Sequence, residues 1–151
     1  MRKTASVPVN GNLTILLVDD NAHGMIARRK VLEEQGYRIQ TASNGEEALQ
    51  LFARHRFDLM VTDFKMPGID GVELIARLRA LKVEAPFIVL SGFVEPLGMT
   101  EESTGADVVL SKSAGEAGHL VRAVKRLFAR GARKPPKAEK RRESVYVAKS
   151  V

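Results

Sequence analysis

Val61-Thr62-Asp63-Phe64-Lys65-Met66-Pro67-Gly68-Ile69-Asp70-Gly71 is the stretch on which the reading of this 151-residue chain turns. It continues the short run Phe57-Asp58-Leu59-Met60, whose length and apolar character suit a strand covered on both faces of a parallel sheet. Asp63 then stands at that strand's carboxyl end. Pro67 and Gly68 turn the chain, and Asp70 precedes Val72-Glu73-Leu74-Ile75, where its side chain can cap the free N–H groups of a helix. Open parallel sheets carry their chemistry at the carboxyl ends of strands. Asp63 is therefore a candidate functional carboxylate, set against the simpler role of an Asp that begins a turn.

On both sides of this stretch, strand and helix patterns alternate. Leu13-Thr14-Ile15-Leu16-Leu17-Val18 predicts a buried first strand ending in Asp19-Asp20-Asn21, any of which can cap the next helix. That helix is expected to run to about Gln35 and close at Gly36; its apolar stripe through Ala27, Val31 and Leu32 is thin, and Gly24 weakens its start. Tyr37 to Ala42 alternates as a second strand, and Ser43-Asn44-Gly45-Glu46 has a capping-box pattern opening a helix with Ala48, Leu51 and Phe52 inward. After the third strand comes a helix burying Leu74, Ile75 and Leu78. Phe87-Ile88-Val89-Leu90 is a fourth strand delivering Ser91 and Gly92. Pro96 and Gly98 leave room for only a short helix, from Pro96 or Met99 to Thr104, with Gly105 past its end. Asp107-Val108-Val109-Leu110 is a fifth strand followed by Ser111-Lys112-Ser113, and a last helix from Gly115 to Arg130 turns Leu120, Val124, Leu127 and Phe128 inward. Five alternations predict a doubly wound α/β fold with a parallel sheet.

Composition narrows the setting. Hydrophobic content of 44% with 28% charged residues fits a globular domain, and the absence of Cys excludes disulfide and thiolate chemistry. No apolar run is long enough for a signal peptide or a membrane span, so the expectation is a cytoplasmic protein with no membrane partner. Residues 1–11 read as a flexible leader, 12–130 as the folded domain and 131–151 as a basic, disordered tail. From Gly131 onward seven basic residues face two acidic ones, so the tail carries +5 of the total +6 and the charge belongs to an appendage. Its only aromatic is Tyr146, which gives base stacking little support and leaves nucleic-acid contact a minor alternative.

In a doubly wound sheet the strand ends open onto one edge, which gathers Asp19, Asp20, Asp63, Ser91 and Lys112. Three clustered carboxylates repel unless a positive charge sits among them. A hard divalent cation such as Mg²⁺, which takes oxygen ligands and keeps several waters, resolves this. Asp63, between such a metal and Lys112, is then the nucleophile for phosphoryl transfer, and Ser91 can donate its hydroxyl to a phosphoryl oxygen. Individually these residues have bland roles as caps, turn residues or a solvated cation; their joint occurrence at the right strand ends favours the functional one.

Val18-Asp19-Asp20-Asn21, the stretch from Asp63 to Gly71, Leu90-Ser91-Gly92, Gly105-Ala106-Asp107 and Lys112 together resemble a response-regulator receiver domain of two-component signalling, of the single-domain, chemotaxis-regulator-like kind. The resemblance covers about Leu13 to Arg130. It implies a flavodoxin-like fold with strand order 2-1-3-4-5 and helices on both faces. It also implies that Asp63 accepts phosphate from a phosphohistidine on a sensor histidine kinase or histidine phosphotransfer protein. Asp19, Asp20, Asp63 and the backbone carbonyl of Lys65 would hold Mg²⁺, and Ser91 and Lys112 would contact the phosphoryl oxygens. Such a domain is no enzyme beyond self-catalysed phosphoryl transfer and autodephosphorylation, and signals through protein contacts or phosphorelay. Three features depart from the family. Ser113 replaces the Pro that usually follows the Lys in a cis peptide, a bond that costs a non-proline residue about 2.5–4 kcal/mol. Val109 replaces the switch aromatic, and the segment from Ser91 to Lys112 is slightly short, which predicts an abbreviated fourth helix. The alternative these departures raise is a receiver-fold interaction module that works without phosphate.

Overall fold

The structure, a computed structural model, describes residues 12–92 and 97–133, with side chains to residue 131. The expected leader, the tail beyond residue 133 and Pro96 lie outside the described residues. Two compact units divide the chain, Met1–Val121 and Arg122–Val151.

The first unit holds a parallel sheet of five strands, β1 (Thr14–Val18), β2 (Arg38–Ala42), β3 (Leu59–Asp63), β4 (Phe87–Ser91) and β5 (Val108–Ser111), in the order β2-β1-β3-β4-β5. Each strand pairs in parallel with its neighbours, with Val18 opposite Thr62, Asp63 opposite Leu90 and Ser91 opposite Ser111. Every residue of β3 and β4 is buried, whereas the edge strand β2 alternates between exposed and buried positions. This is the difference between a strand covered on two faces and one at the sheet's margin. The expected strand boundaries shift by one or two residues.

Helices α1 (Ala22–Glu34), α2 (Gly45–Arg54), α3 (Gly71–Ala80), α4 (Glu101–Thr104) and α5 (Glu116–Arg133) follow the strands in turn. Side chains alternate along a strand, so Leu16, Val18, Met60, Phe87 and Val89 point to one face. There they pack with Ala48 of α2 and with Leu74, Ile75 and Leu78 of α3. Leu17, Val61 and Leu90 point to the other face, where they line a small void with Met25 and Arg28 of α1. Leu32 is the only buried residue of α1, which bears out its thin stripe; Ala27 is exposed.

The helix starts follow local chemistry. Asn21, not Asp19 or Asp20, caps α1 by accepting from the Gly24 N–H, and Asp70 caps α3 by accepting from the Glu73 N–H. At α2 the expected cap moves by one residue: Asn44 accepts from the Glu47 N–H, while the Glu47 carboxylate reaches back to the N–H and hydroxyl of Ser43. The fourth helix is short, as expected. It starts at Glu101 rather than at Met99, because Thr100 and Ser103 form a reciprocal capping box that fixes its first turn, and Gly105 ends it. The last helix begins at Glu116 and continues through residues 131–133, past the expected end. In its part belonging to the second unit, Ala123, Val124 and Leu127 are buried, Phe128 is half-buried, and Arg122, Lys125, Arg126 and Arg130 are exposed.

Candidate phosphoacceptor and metal site

Parallel pairing brings the carboxyl ends of all five strands to one edge. Asp19 follows β1, Asp63 ends β3, Ser91 ends β4 and Lys112 follows β5. Because β1 is flanked by β2 and β3, the connections diverge there and leave a crevice at the switch point of the sheet. Asp19 and Asp63 share the parity of Leu17 and Val61, so both carboxylates emerge on the α1 side of that crevice.

Ligand oxygens of Asp19, Asp20 and Asp63 lie within 4.8 Å of one another. Asp19 and Asp63 are buried and Asp20 is exposed, so the cluster is rooted in the fold and open on one side. Lys112 Nζ stands 2.5 Å from Asp63 Oδ1, and its backbone N–H donates to the Ser91 carbonyl at 3.0 Å, which ties the ammonium to the end of β4. Ser91 is buried. Lys65, exposed, follows Asp63 by two residues in the loop that returns to α3. Among the described residues no peptide bond is cis, so Lys112–Ser113 is trans and the ammonium reaches Asp63 without the bond the proline would favour. Val109 is half-buried against the core.

Two features tighten the loop after β3. Met66 and Ile69 are buried and act as its anchors. Gly71 closes it, donating its N–H to the Phe64 carbonyl at 2.8 Å. A Cβ at Gly71 would sit 2.3 Å from the Asp63 carbonyl oxygen, inside van der Waals contact, so only glycine lets α3 start so close to the end of β3.

Burial pushes the Asp63 carboxyl above its ordinary range; the hydrogen bond and charge of Lys112 pull it back, the neighbouring Asp19 adds to the rise, and Arg28 opposes it. The rise prevails.

Arg28 is the member of the site that the sequence did not announce. Its Nη1 donates to Asp19 Oδ2 and its Nε donates to Glu116 Oε2 at 2.6 Å, joining α1 to the start of α5. Burial works against its charge, but Glu116 and Asp19 more than offset it and hold its pKa above the ordinary value. The thin stripe of α1 was the available signal, since a cation stands where the helix turns toward the sheet. Counting Glu116, four carboxylates meet two cations, a formal charge of −2 that one divalent ion would neutralise. The donor set, carboxylates on a rim exposed at Asp20, suits a hard cation such as Mg²⁺.

Comparison with known proteins gives this geometry its class. Residues 15–125 match the family model of the response regulator receiver domain, and the chain belongs to that family. The chain is similar over 112 residues, at 36% identity, to the virulence sensor protein BvgS of Bordetella bronchiseptica; the match covers 69% of this chain and 9% of that much longer protein. Similarity to sporulation initiation phosphotransferase F of Bacillus subtilis is 35% over 92 residues, covering 61% of this chain and 73% of the relative. Among solved structures, response regulator protein TrrA of Thermotoga maritima in complex with Mg²⁺ and BeF superposes with a TM-score of 0.69 at 36% identity, over 76% of this chain and 98% of that one. TrrA has also been solved in complex with the histidine kinase ThkA. The strand order expected from the resemblance is the one observed, and the protein is a receiver domain of two-component signalling.

Proposed function

We propose that this receiver is a working phosphoacceptor and that Asp63 takes the phosphoryl group. The observation that carries this reading is the meeting of three carboxylates within 4.8 Å with an ammonium 2.5 Å from Asp63. An ionised Asp63 oxygen attacks phosphorus, the P–N bond of a phosphohistidine breaks, and its electron pair stays on the imidazole nitrogen, leaving an acyl phosphate on Asp63. No general base is required for a carboxylate that is already ionised. Lys112 balances charge on the transferred group, and the Ser91 hydroxyl donates to one of its oxygens. Asp19, Asp20, Asp63 and the Lys65 backbone carbonyl would hold Mg²⁺, whose contribution is to neutralise phosphoryl charge as a Lewis acid. The donor is a sensor histidine kinase or a phosphotransfer protein, a reading supported by the kinase complex of TrrA. No helix among the described residues is long and apolar enough to cross a membrane, which fits a cytoplasmic encounter with the donor.

Titration with beryllofluoride, followed by amide NMR, tests this. The expected result is a set of shifts around Asp19, Asp63, Ser91 and Lys112 that needs both beryllofluoride and Mg²⁺. Spectra indifferent to the pair at saturating concentration would contradict it.

A further inference from the structure

Arg28 is unusual because a permanently charged group has been taken almost out of water to serve two carboxylates. Its side chain is 11% exposed and that of Asp19 3%. Both oxygens of Asp19 are engaged, Oδ2 by the guanidinium and Oδ1 by the Asn21 N–H at 2.9 Å. A guanidinium does not lose its proton in a protein. A cation that takes Asp19 must therefore share it with Arg28 or move Arg28 aside, and no change of protonation on Arg28 can clear the way.

Gly24 marks the path as built. It lies one helical turn before Arg28, and a Cβ there would meet Arg28 Nη1 and Asp19 Oδ2, each at 3.2 Å. Glycine weakens a helix by about 1 kcal/mol relative to Ala, so its presence in the first turn of α1 is explained by the guanidinium that passes over it. Glu116 is the second berth. Held at 2.6 Å by Nε, it keeps a partner for Arg28 when Asp19 is withdrawn.

We propose that Arg28 is an internal competitor for the metal: its guanidinium holds Asp19 until a divalent cation displaces it toward Glu116, so the Arg28–Glu116 pair sets the metal affinity of the site. The proposal rests on the metal reading given above. It also links metal occupancy to the contact between α1 and the start of α5, where Arg28 and Glu116 border a groove of about 270 Å³ with Ala27, Val31, Ala117 and Leu120. By reciprocity, whatever tightens the Arg28–Asp19 contact weakens metal binding by the same factor.

The test is Mg²⁺ titration of the full chain by calorimetry and by the amide shifts of Asp19 and Asp20, at constant ionic strength. Arg28→Met should tighten Mg²⁺ binding by about fivefold or more, the lower range of measured couplings between sites. Glu116→Gln should weaken it in the wild-type background, because Arg28 is left with Asp19 as its one carboxylate, and should do markedly less in the Arg28→Met background. An equal effect of Glu116→Gln in both backgrounds would mean a simple loss of negative charge and would overturn the proposal, as would unchanged or weaker binding by Arg28→Met. Should Arg28→Met not fold, Arg28→Lys keeps the charge without the fork that spans two carboxylates; it should also tighten binding, and unchanged affinity there would overturn the proposal. Absence of Mg²⁺ binding in every protein, wild type included, would instead remove the metal reading itself and the proposal with it.

Discussion

Two arginine–carboxylate contacts stand at opposite edges of one sheet, and they are built to different ends. At the amino edge, Arg79 Nη1 donates to the carbonyls of Val83 at 2.8 Å and Ala85 at 2.9 Å, and Nη2 donates to Asp107 Oδ2 at 3.0 Å. Asp107 Oδ2 also accepts the Phe87 N–H at 2.8 Å, and the guanidinium lies 4.0 Å above the Phe87 ring. One cation meets one anion, and Nη1 ends on two backbone carbonyls. At the carboxyl edge, Arg28 is spent on Asp19 and Glu116, while Asp20 and Asp63 bring further negative charge, with Lys112 paired to Asp63. Charge that closes on the backbone is architecture. Charge left in excess is what a site offers to a ligand.

The largest effect should come from Gly71→Ala. A methyl group 2.3 Å from the Asp63 carbonyl cannot be accommodated without moving the strand end or α3. Overpacking of this kind costs about 1–3 kcal/mol or more, and urea unfolding should show a loss at the upper end of that range, together with a displaced Asp63 amide resonance. A stable variant with an unmoved Asp63 would break the claim that the carboxyl edge is tightly fitted.

Arg79→Met comes next. It removes two hydrogen bonds to carbonyls, a contact to Asp107 and the cation over Phe87. Each hydrogen bond contributes about 1 kcal/mol and the cation–π contact about 0.5–1 kcal/mol, whereas the ion pair, about a third exposed, is discounted. Urea unfolding should show a loss of about 2.5 kcal/mol, with the stabilisation by Mg²⁺ unchanged. A variant whose Mg²⁺ response fell with its stability would show that the edges are not independent.

The smallest effect has the less intuitive sign. Because the native pKa of Asp63 is raised, mainly by burial, its contribution to stability is fully present below the ordinary carboxylate pKa and is lost as pH rises through the native value. An ionised Asp63 is thus a net cost, despite Lys112. Asp63→Asn without metal should melt higher than wild type, by less than about 5 °C, and the gap should shrink as pH falls into the ordinary carboxylate range. A lower melting temperature for the variant at neutral pH would show that the Lys112 contact outweighs burial.

The architecture was legible where burial imposes a pattern. The apolar runs of β1, β3 and β4 announced a covered parallel sheet, and Asp70 before a helical stripe announced its cap. What escaped was set by competition among neighbours. Ser43 and Asn44 can both cap α2, and Asn44 prevails because Glu47 then satisfies Ser43 from the far side. Thr100 and Ser103 form a box without the acidic residue that usually signals one. Arg28 escaped for a deeper reason: a charge in the first turns of a helix normally faces water, and only the folded positions of Asp19 and Glu116 draw it inward. The gathering of Asp19, Asp20 and Asp63 followed from topology alone, since parallel strands in this order leave their ends no other place to go.

If the excess charge at the carboxyl edge serves phosphoryl transfer to Asp63, intact-mass spectrometry after incubation with acetyl phosphate and Mg²⁺ will read the product. Wild type should gain one acid-labile phosphoryl group that base removes, and Asp63→Asn should gain none, because an amide cannot form the acyl phosphate. Undiminished phosphate on Asp63→Asn, or none on wild type with an active donor, would contradict the account.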